Sequence, residues 1–370
     1  MMLKLSQPNI SEEAIAAVAD VIRSGQLVHG TENEAFEKEL AAYLGCEDVV
    51  LVSSGTAALH LALLALDIGP NDAVLVPDFT FPATANAVAL VGARPVIVDV
   101  DPNTYTLSAR QLEAVIQTWK GPERLRAIMP VHEFGCPADM QEINRIAKAH
   151  GLFVVEDAAC ALGATFQGRK LGTLGDIGCF SFHPRKTLTT GEGGALCTND
   201  AELARRLRRL RNHGMERTAS GMQFFEPATN YRLTNFQAAL GRHQLPQLDG
   251  WIERRSALAK AYCELLQPLA QTGRLSLPSL IPGHSWQTFM VVLDGLADRN
   301  AIILQLRNEG VEANLGAQSL SSIGLYGPVA QDLKYGPLLY QHGLALPLFE
   351  KLSLSDVQHV VKALGTLISI

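Results

Sequence analysis

Apolar and polar positions alternate along this chain in two recurring textures. Residues 11–23, SEEAIAAVADVIR, place apolar side chains at helical spacing behind a Ser cap and an acidic first turn, with Gly25 closing the run. A second helix is predicted over 31–44, closed by Gly45. From there the beat changes. A short β-branched run from Asp48 turns through Ser53, Ser54, Gly55 and Thr56 into a buried helix over 57–66. Apolar strands at 74–79, 95–101, 126–132, 151–159 and 179–182 then alternate with helical segments near 84–93, 108–119 and 138–150. Strands separated by helices of ten or so residues predict parallel βαβ units, a sheet with helices on both faces.

Beyond Asn199 the texture shifts. NDAELARRLRRLRNHG sets Leu203, Leu207 and Leu210 on one helical face, so its five arginines between 205 and 211 are read as the solvated side of an amphipathic helix. An irregular stretch leads to a long helix from Thr234 that should break at Pro246; 268–282 reads as loop, 284–295 as strand, 298–309 as helix, and the C-terminal segment as helix. These changes predict a large domain over 1–245 and a smaller α/β domain over 246–370.

With 370 residues, 47% of them hydrophobic and 18% charged, the chain is long enough to bury one large core and a second smaller one. A net charge of −6 provides no general attraction to nucleic acid or anionic membrane. The first residues lack the layout of a signal peptide, and no run approaches the roughly 18 apolar residues of a membrane span, so a cytoplasmic protein is expected. Six cysteines lie scattered with no CxxC pair, so neither a metal site nor a disulfide framework is expected.

The candidate chemistry centres on GCFSFHPRKTLTTGEGG, residues 178–194. The spacing puts Lys186 on a loop just past a strand. Most loop lysines are merely solvated; one held against a carbonyl can form a covalent adduct with it. The biological aldehyde that most often needs such a lysine is pyridoxal phosphate, which also requires a phosphate cradle and an acid at its pyridine nitrogen. A strand turning through Ser-Gly-Thr into a helix aims free N–H groups and the positive helix end at one point, as at Gly55 and Thr56, although an empty helix cap has the same pattern. Asp157 follows the apolar LFVV and is either a loop carboxylate or the acid that keeps a pyridine nitrogen protonated. Phe81 is either core or a ring stacked on the cofactor. All three positions fall just after strand ends, where ligands of such sheets gather.

Taken together, SSGTAALHLAL, VPDFTFPATANAV, VDVDPNTY, EDAACALGA, SFHPRKTLTTGEGG, LRNHG and NYRLTNFQAALG resemble, in order, the DegT/DnrJ/StrS-type family of aminotransferases, a branch of the type I aspartate aminotransferase fold best known for aminating nucleotide-linked keto-sugars. The resemblance runs from about residue 7 to the C-terminus. It implies that Lys186 bonds the cofactor aldehyde and shuttles the reaction's proton, that Asp157 pairs with the pyridine nitrogen, and that Phe81 stacks on the ring. Gly55, Thr56 and Ser181 would hold the phosphate, and Asn230 would reach the phosphate of a neighbouring subunit in a homodimer. Two positions depart from the family pattern: Cys160 where many relatives carry Gln, and Ser321 where relatives often carry His. The expected reaction moves an amino group, by family analogy from glutamate, to a nucleotide-linked keto-sugar. The alternatives are a cyclitol or other ketone as acceptor, and a cofactor-binding regulator, for which no helix-turn-helix appendage is visible. Sugar dehydration is disfavoured because relatives that dehydrate are expected to carry His in place of Lys186.

Overall fold

A computed structural model of the chain describes residues 2–295, 297–327 and 333–368. Its centre is a seven-stranded sheet which, read across, runs Asp48–Val52, Gly194–Thr198, Ile177–Ser181, Phe153–Asp157, Arg124–Ile128, Asp72–Pro77 and Arg94–Val98. The last five are parallel in consecutive pairs. Gly194–Thr198 runs antiparallel to both of its neighbours. That strand is not evident in the apolar pattern: GALCT is brief, opens on the last of three clustered glycines, and enters the sheet because the loop carrying Lys186 folds the chain straight back beside Ile177–Ser181.

Both faces of the sheet are covered, which is why its strands read as continuous apolar runs; Asp72–Pro77 is buried at every position. The helix Gly55–Ala65 is buried almost all round, packed on the sheet and against Ala83–Leu90. The first helix spans Glu12–Ser24, with the Ser11 side chain accepting from the Ala14 N–H and Gly25 closing it at φ 74°.

The arginine-rich helix, Ala201–Leu210, buries Leu207 and Leu210 as its spacing predicts. Its arginines, expected to be solvated, are instead paired: Arg205 and Arg209 with Glu216, Arg206 with Asp67 and Glu226, Arg208 with Asp48, and Arg211 with the buried Glu37. The acids lie outside the helix, where helical periodicity cannot show them. The irregular stretch that follows contains a hairpin, Met215–Thr218 against Gly221–Phe224.

A break does fall at Pro246, in a single 3₁₀ turn, Leu245–Gln247. The next helix, Leu248–Gln271, then runs through Pro268, contrary to the expected loop. Pro268 is exposed in the last turn, where the carbonyl that loses its N–H partner can be hydrated. A second core gathers Leu258, Tyr262, Phe289, Leu306, Leu344 and Val360, with a three-stranded antiparallel sheet of Leu275–Ser276, Phe289–Leu293 and Gly343–Leu346. The predicted strand over 284–295 is therefore shortened to Phe289–Leu293; Trp286, at φ 54°, turns the preceding residues away toward the large sheet. The chain's beginning joins this second core, Leu3 lying beside Val311.

Candidate active site

At the ends of Phe153–Asp157 and Ile177–Ser181 lies a cavity of ≈ 250 Å³ whose wall also includes Gln287, Thr288 and Gln318. Gly55, Thr56, Phe81, Asp157, Cys160, Ser181 and Lys186 all line it. Of the residues singled out from the sequence, Asn230 does not; it is exposed, bridged to Asn212, and its side-chain oxygen accepts from the Arg232 N–H. Ser321 is also absent from the cavity wall: its N–H donates to Asp78, 2.7 Å away. A larger depression of ≈ 660 Å³ lies over Arg299 and Tyr340, but it holds none of the predicted residues, and its Arg299 guanidinium is occupied by the carbonyls of Tyr340 and Gly343.

The acidic pair at the strand end is divided by the alternation of a β-strand. Glu156 faces away from the cavity and is fully buried, accepting the N–H groups of Gly172, Leu174 and Gly175 at 2.8, 2.6 and 2.6 Å. His132 faces it at 2.9 Å; since its Nδ1 accepts from the Ala138 N–H, Nε2 carries the proton and donates to Glu156. Asp157 faces the cavity. Its carboxyl accepts the Thr84 hydroxyl at 2.8 Å and the Ala159 N–H at 3.2 Å, while its backbone is tied to Pro130 and His132. Burial raises its pKa, against those hydrogen bonds and Lys186, which favour the anion.

Lys186 sits in the turn after Ile177–Ser181, its N–H donating to the His183 carbonyl. Its Nζ lies 2.9 Å from the Cys160 sulfur. Burial pulls the ammonium pKa down, but Cys160, Glu133 and Asp157 outweigh it, and the net direction is upward. Burial raises the Cys160 thiol in turn, while Lys186 favours its charged form.

The third element is the N-terminus of Gly55–Ala65. Ser54 caps it, accepting from the Ala57 N–H at 3.0 Å, which leaves the first-turn N–H groups of Gly55 and Thr56 without helical partners. Ser181 crosses this end so closely that a Cβ on Gly55 would lie 2.8 Å from the Ser181 Cβ. Phe81 stands at the rim with 65% of its surface exposed.

These residues fit pyridoxal phosphate. The glycine-floored helix end with the Ser181 hydroxyl suits a phosphate, Nζ suits an aldehyde, and the buried Asp157 suits a protonated ring nitrogen. Sequence reasoning missed Thr84, which fixes the Asp157 carboxyl, and Glu133, a buried acid in the wall. The signal for Thr84 was its place in TFPATANA, one turn after the strand end; for Glu133, it was an acid following a strand end in PVHEFG.

The family model described as the DegT/DnrJ/EryC1/StrS aminotransferase family matches residues 8–365. The chain is 41% identical over 337 residues to GDP-perosamine synthase of Caulobacter vibrioides, a match covering 89% of this chain and 88% of that protein. Among solved structures it is similar to the aminotransferase TlmJ of Streptoalloteichus hindustanus, with 33% identity, a TM-score of 0.91, and 100% and 99% of the two chains covered. It is also similar to a protein of Streptococcus pneumoniae in a PLP-form, with 27% identity, a TM-score of 0.90, and 100% and 99% covered. No helix among the described residues is long and apolar enough to cross a membrane, and no cluster of metal-ligating side chains occurs among them.

Proposed function

As the chain belongs to the DegT/DnrJ/EryC1/StrS aminotransferase family, we propose that its cavity holds pyridoxal phosphate on Lys186 and moves an amino group from glutamate to the ketone of a nucleotide-linked sugar. The chain is a PLP-dependent aminotransferase of fold type I, related to enzymes of amino-sugar biosynthesis. The sugar, the donor and the residue roles are our reading. The observation that carries it is that the Lys186 amine, the buried Asp157 carboxyl and the capped start of Gly55–Ala65 line one cavity.

When bound, the cofactor supplies an aldehyde that takes up nitrogen and a ring that accepts electrons from the substrate carbon. Asp157 holds a proton on the ring nitrogen, with Thr84 and Ala159 fixing the carboxyl in that orientation. In the deprotonated state, Nζ of Lys186 takes the proton from the donor's carbon and returns it on the other side of the reaction. Cys160, against Nζ, limits where that amine can swing. Gly55, Thr56 and Ser181 would hold the phosphate and so restrict the cofactor's movement in the cavity that Lys186 also lines. Phe81, at the rim, would lie against the ring and limit the access of water.

A homodimer is part of this reading. Asn230 stands outside its own cavity, and the neighbouring hairpin exposes Met222, Phe224 and Phe225, which supports a second copy lying there. We further read residues 1–245 as the cofactor-binding unit and 246–370 as the smaller one, and place the enzyme in the cytoplasm, where nucleotide-linked sugars are made. The test is nitrogen transfer from glutamate to a panel of nucleotide-linked keto-sugars, with oxo-acid and amino sugar measured together. The Lys186→Ala variant should lose both turnover and the visible absorbance of the lysine-bound cofactor. Full activity in that variant, or amination of a free cyclitol but of no nucleotide sugar, would overturn the assignment.

A further inference from the structure

Glu133 stands in the cavity wall, outside the phosphate, ring-nitrogen and aldehyde roles assigned above. It opens the single turn Glu133–Gly135, in which Phe134 at φ 58° and Gly135 at φ 89° both lie in the left-handed region. Such backbone persists only where surrounding contacts impose it. Here the Gln287 N–H donates to the Phe134 carbonyl at 2.9 Å and the Ser285 N–H to the Gly135 carbonyl at 3.1 Å, so the second unit fastens the turn. A Cβ on Gly135 would lie 2.1 Å from the Ser285 hydroxyl, so the fit leaves no room for another residue.

This turn leaves Glu133 only 4% exposed and lining the cavity. Glu156 has three N–H donors and a histidine, and Asp157 has a hydroxyl and an N–H. Glu133 has only the N–H of Phe134, and no side chain among the described residues lies within hydrogen-bonding distance of its carboxyl. A nine-tenths buried acid with free oxygen positions in a ligand cavity lacks a partner that the ligand can supply.

The charged neighbours define that partner. Lys186, Asp157 and Cys160 face Glu133; His183, Arg185 and Glu192 line the same cavity, and His132, next along the chain, is turned away to Glu156. Burial, opposed by Lys186 and reinforced by Asp157, pushes the Glu133 pKa to about 8. In its acid form, which burial favours, the group offers one O–H donor and free acceptor oxygens. An ammonium would want an anion, and the carboxylates of an amino-acid donor have Arg185 and His183 at hand. A hydroxyl, which donates and accepts, matches a neutral carboxyl.

We propose that Glu133 is a specificity-determining residue that hydrogen-bonds a hydroxyl of the acceptor sugar next to the carbon being aminated. This rests on the keto-sugar reading, and wild-type turnover with such an acceptor tests that reading by itself; its absence overturns both. The variants then test Glu133 in the holoenzyme, with the cofactor's visible absorbance reporting an intact site. Glu133→Leu removes donor and acceptor and should lower kcat/KM for the sugar about 10- to 100-fold, leaving KM for glutamate unchanged. Glu133→Gln keeps both functions and should stay within a few-fold of wild type. The acceptor half-reaction of the wild type should decline as pH rises through about 8, where the acid loses its proton, while Glu133→Gln stays flat. Among acceptors each lacking one hydroxyl, one should be poor for the wild type yet no worse than the parent sugar for Glu133→Leu. The proposal is overturned if Glu133→Leu leaves sugar kinetics unchanged, if it raises KM for glutamate equally, if Glu133→Gln is as impaired as Glu133→Leu, or if every missing hydroxyl affects wild type and variant alike.

Discussion

Replacing Arg255 by Met should destabilise the protein and loosen the active-site wall, although Arg255 does not line the cavity. Its guanidinium is 1% exposed; Nη1 donates to the carbonyls of Trp286, Gln287 and Leu348 at 3.3, 3.3 and 3.1 Å, and Nη2 to Glu350 at 3.1 Å. Those contacts root the segment that reaches the site, where the Gln287 amide donates to the Arg185 carbonyl at 2.8 Å, beside Lys186. Burial disfavours the guanidinium charge and Glu350 offsets only part of that, so the pair depends on its geometry. Met fills most of the volume but leaves a carboxylate, 6% exposed as a side chain, without its cation. Losing one partner of a buried pair costs about 3–5 kcal/mol, which at roughly 2 °C per kcal/mol for larger domains lowers Tm by about 6–10 °C. Differential scanning calorimetry of the cofactor-free protein measures it. Adding Glu350→Leu should recover part of the loss, because the stranded charge is gone. A single variant melting within about 2 °C of wild type, or a double variant melting below the single, would refute the reasoning.

Asp157→Asn keeps the size of the side chain and can still accept from Thr84, so circular dichroism should not change; kcat should fall about 10²–10³-fold, the range for removing one preorganised electrostatic contact, and a fall under twofold would contradict the role. Gly55→Ala brings a methyl to 2.8 Å from the Ser181 Cβ; an overpacking cost of about 1–3 kcal/mol should appear as a loss of cofactor affinity of about fivefold or more in an absorbance titration, and unchanged affinity would show that the helix end does not hold the phosphate. Glu156→Gln should lower Tm, because the carboxylate serves three N–H donors and His132 that an amide oxygen serves less well; at permissive temperature KM for glutamate should stay near wild type.

The site was legible where its residues sit at strand ends. Lys186, Asp157 and Phe81 each lie at or just after the end of an apolar run, and in a parallel sheet such positions converge. The Ser-Gly-Thr turn was legible because helix caps are local chemistry. What stayed hidden depends on distant partners. Nothing in the spacing of Arg205 to Arg211 announces Glu216, Glu226, Asp48 or Glu37. Likewise, HSWQT reads as the start of a strand, but Trp286 takes positive φ so that Ser285 and Gln287 can bind the 134–135 turn. Glu133 was overlooked for the same reason: its burial is set by a turn that Ser285 and Gln287, far along the chain, hold in place. Glu156 and Asp157 looked equivalent in sequence, and only the faces of the strand separate the buried anchor from the acid in the cavity.

The most direct test of the central claim is to reduce the cofactor-loaded enzyme with borohydride, digest it, and locate the pyridoxyl phosphate by mass spectrometry. The account predicts the label on the peptide containing Lys186 and on no other lysine. A label elsewhere, or none on an enzyme that retains its cofactor absorbance, would contradict it.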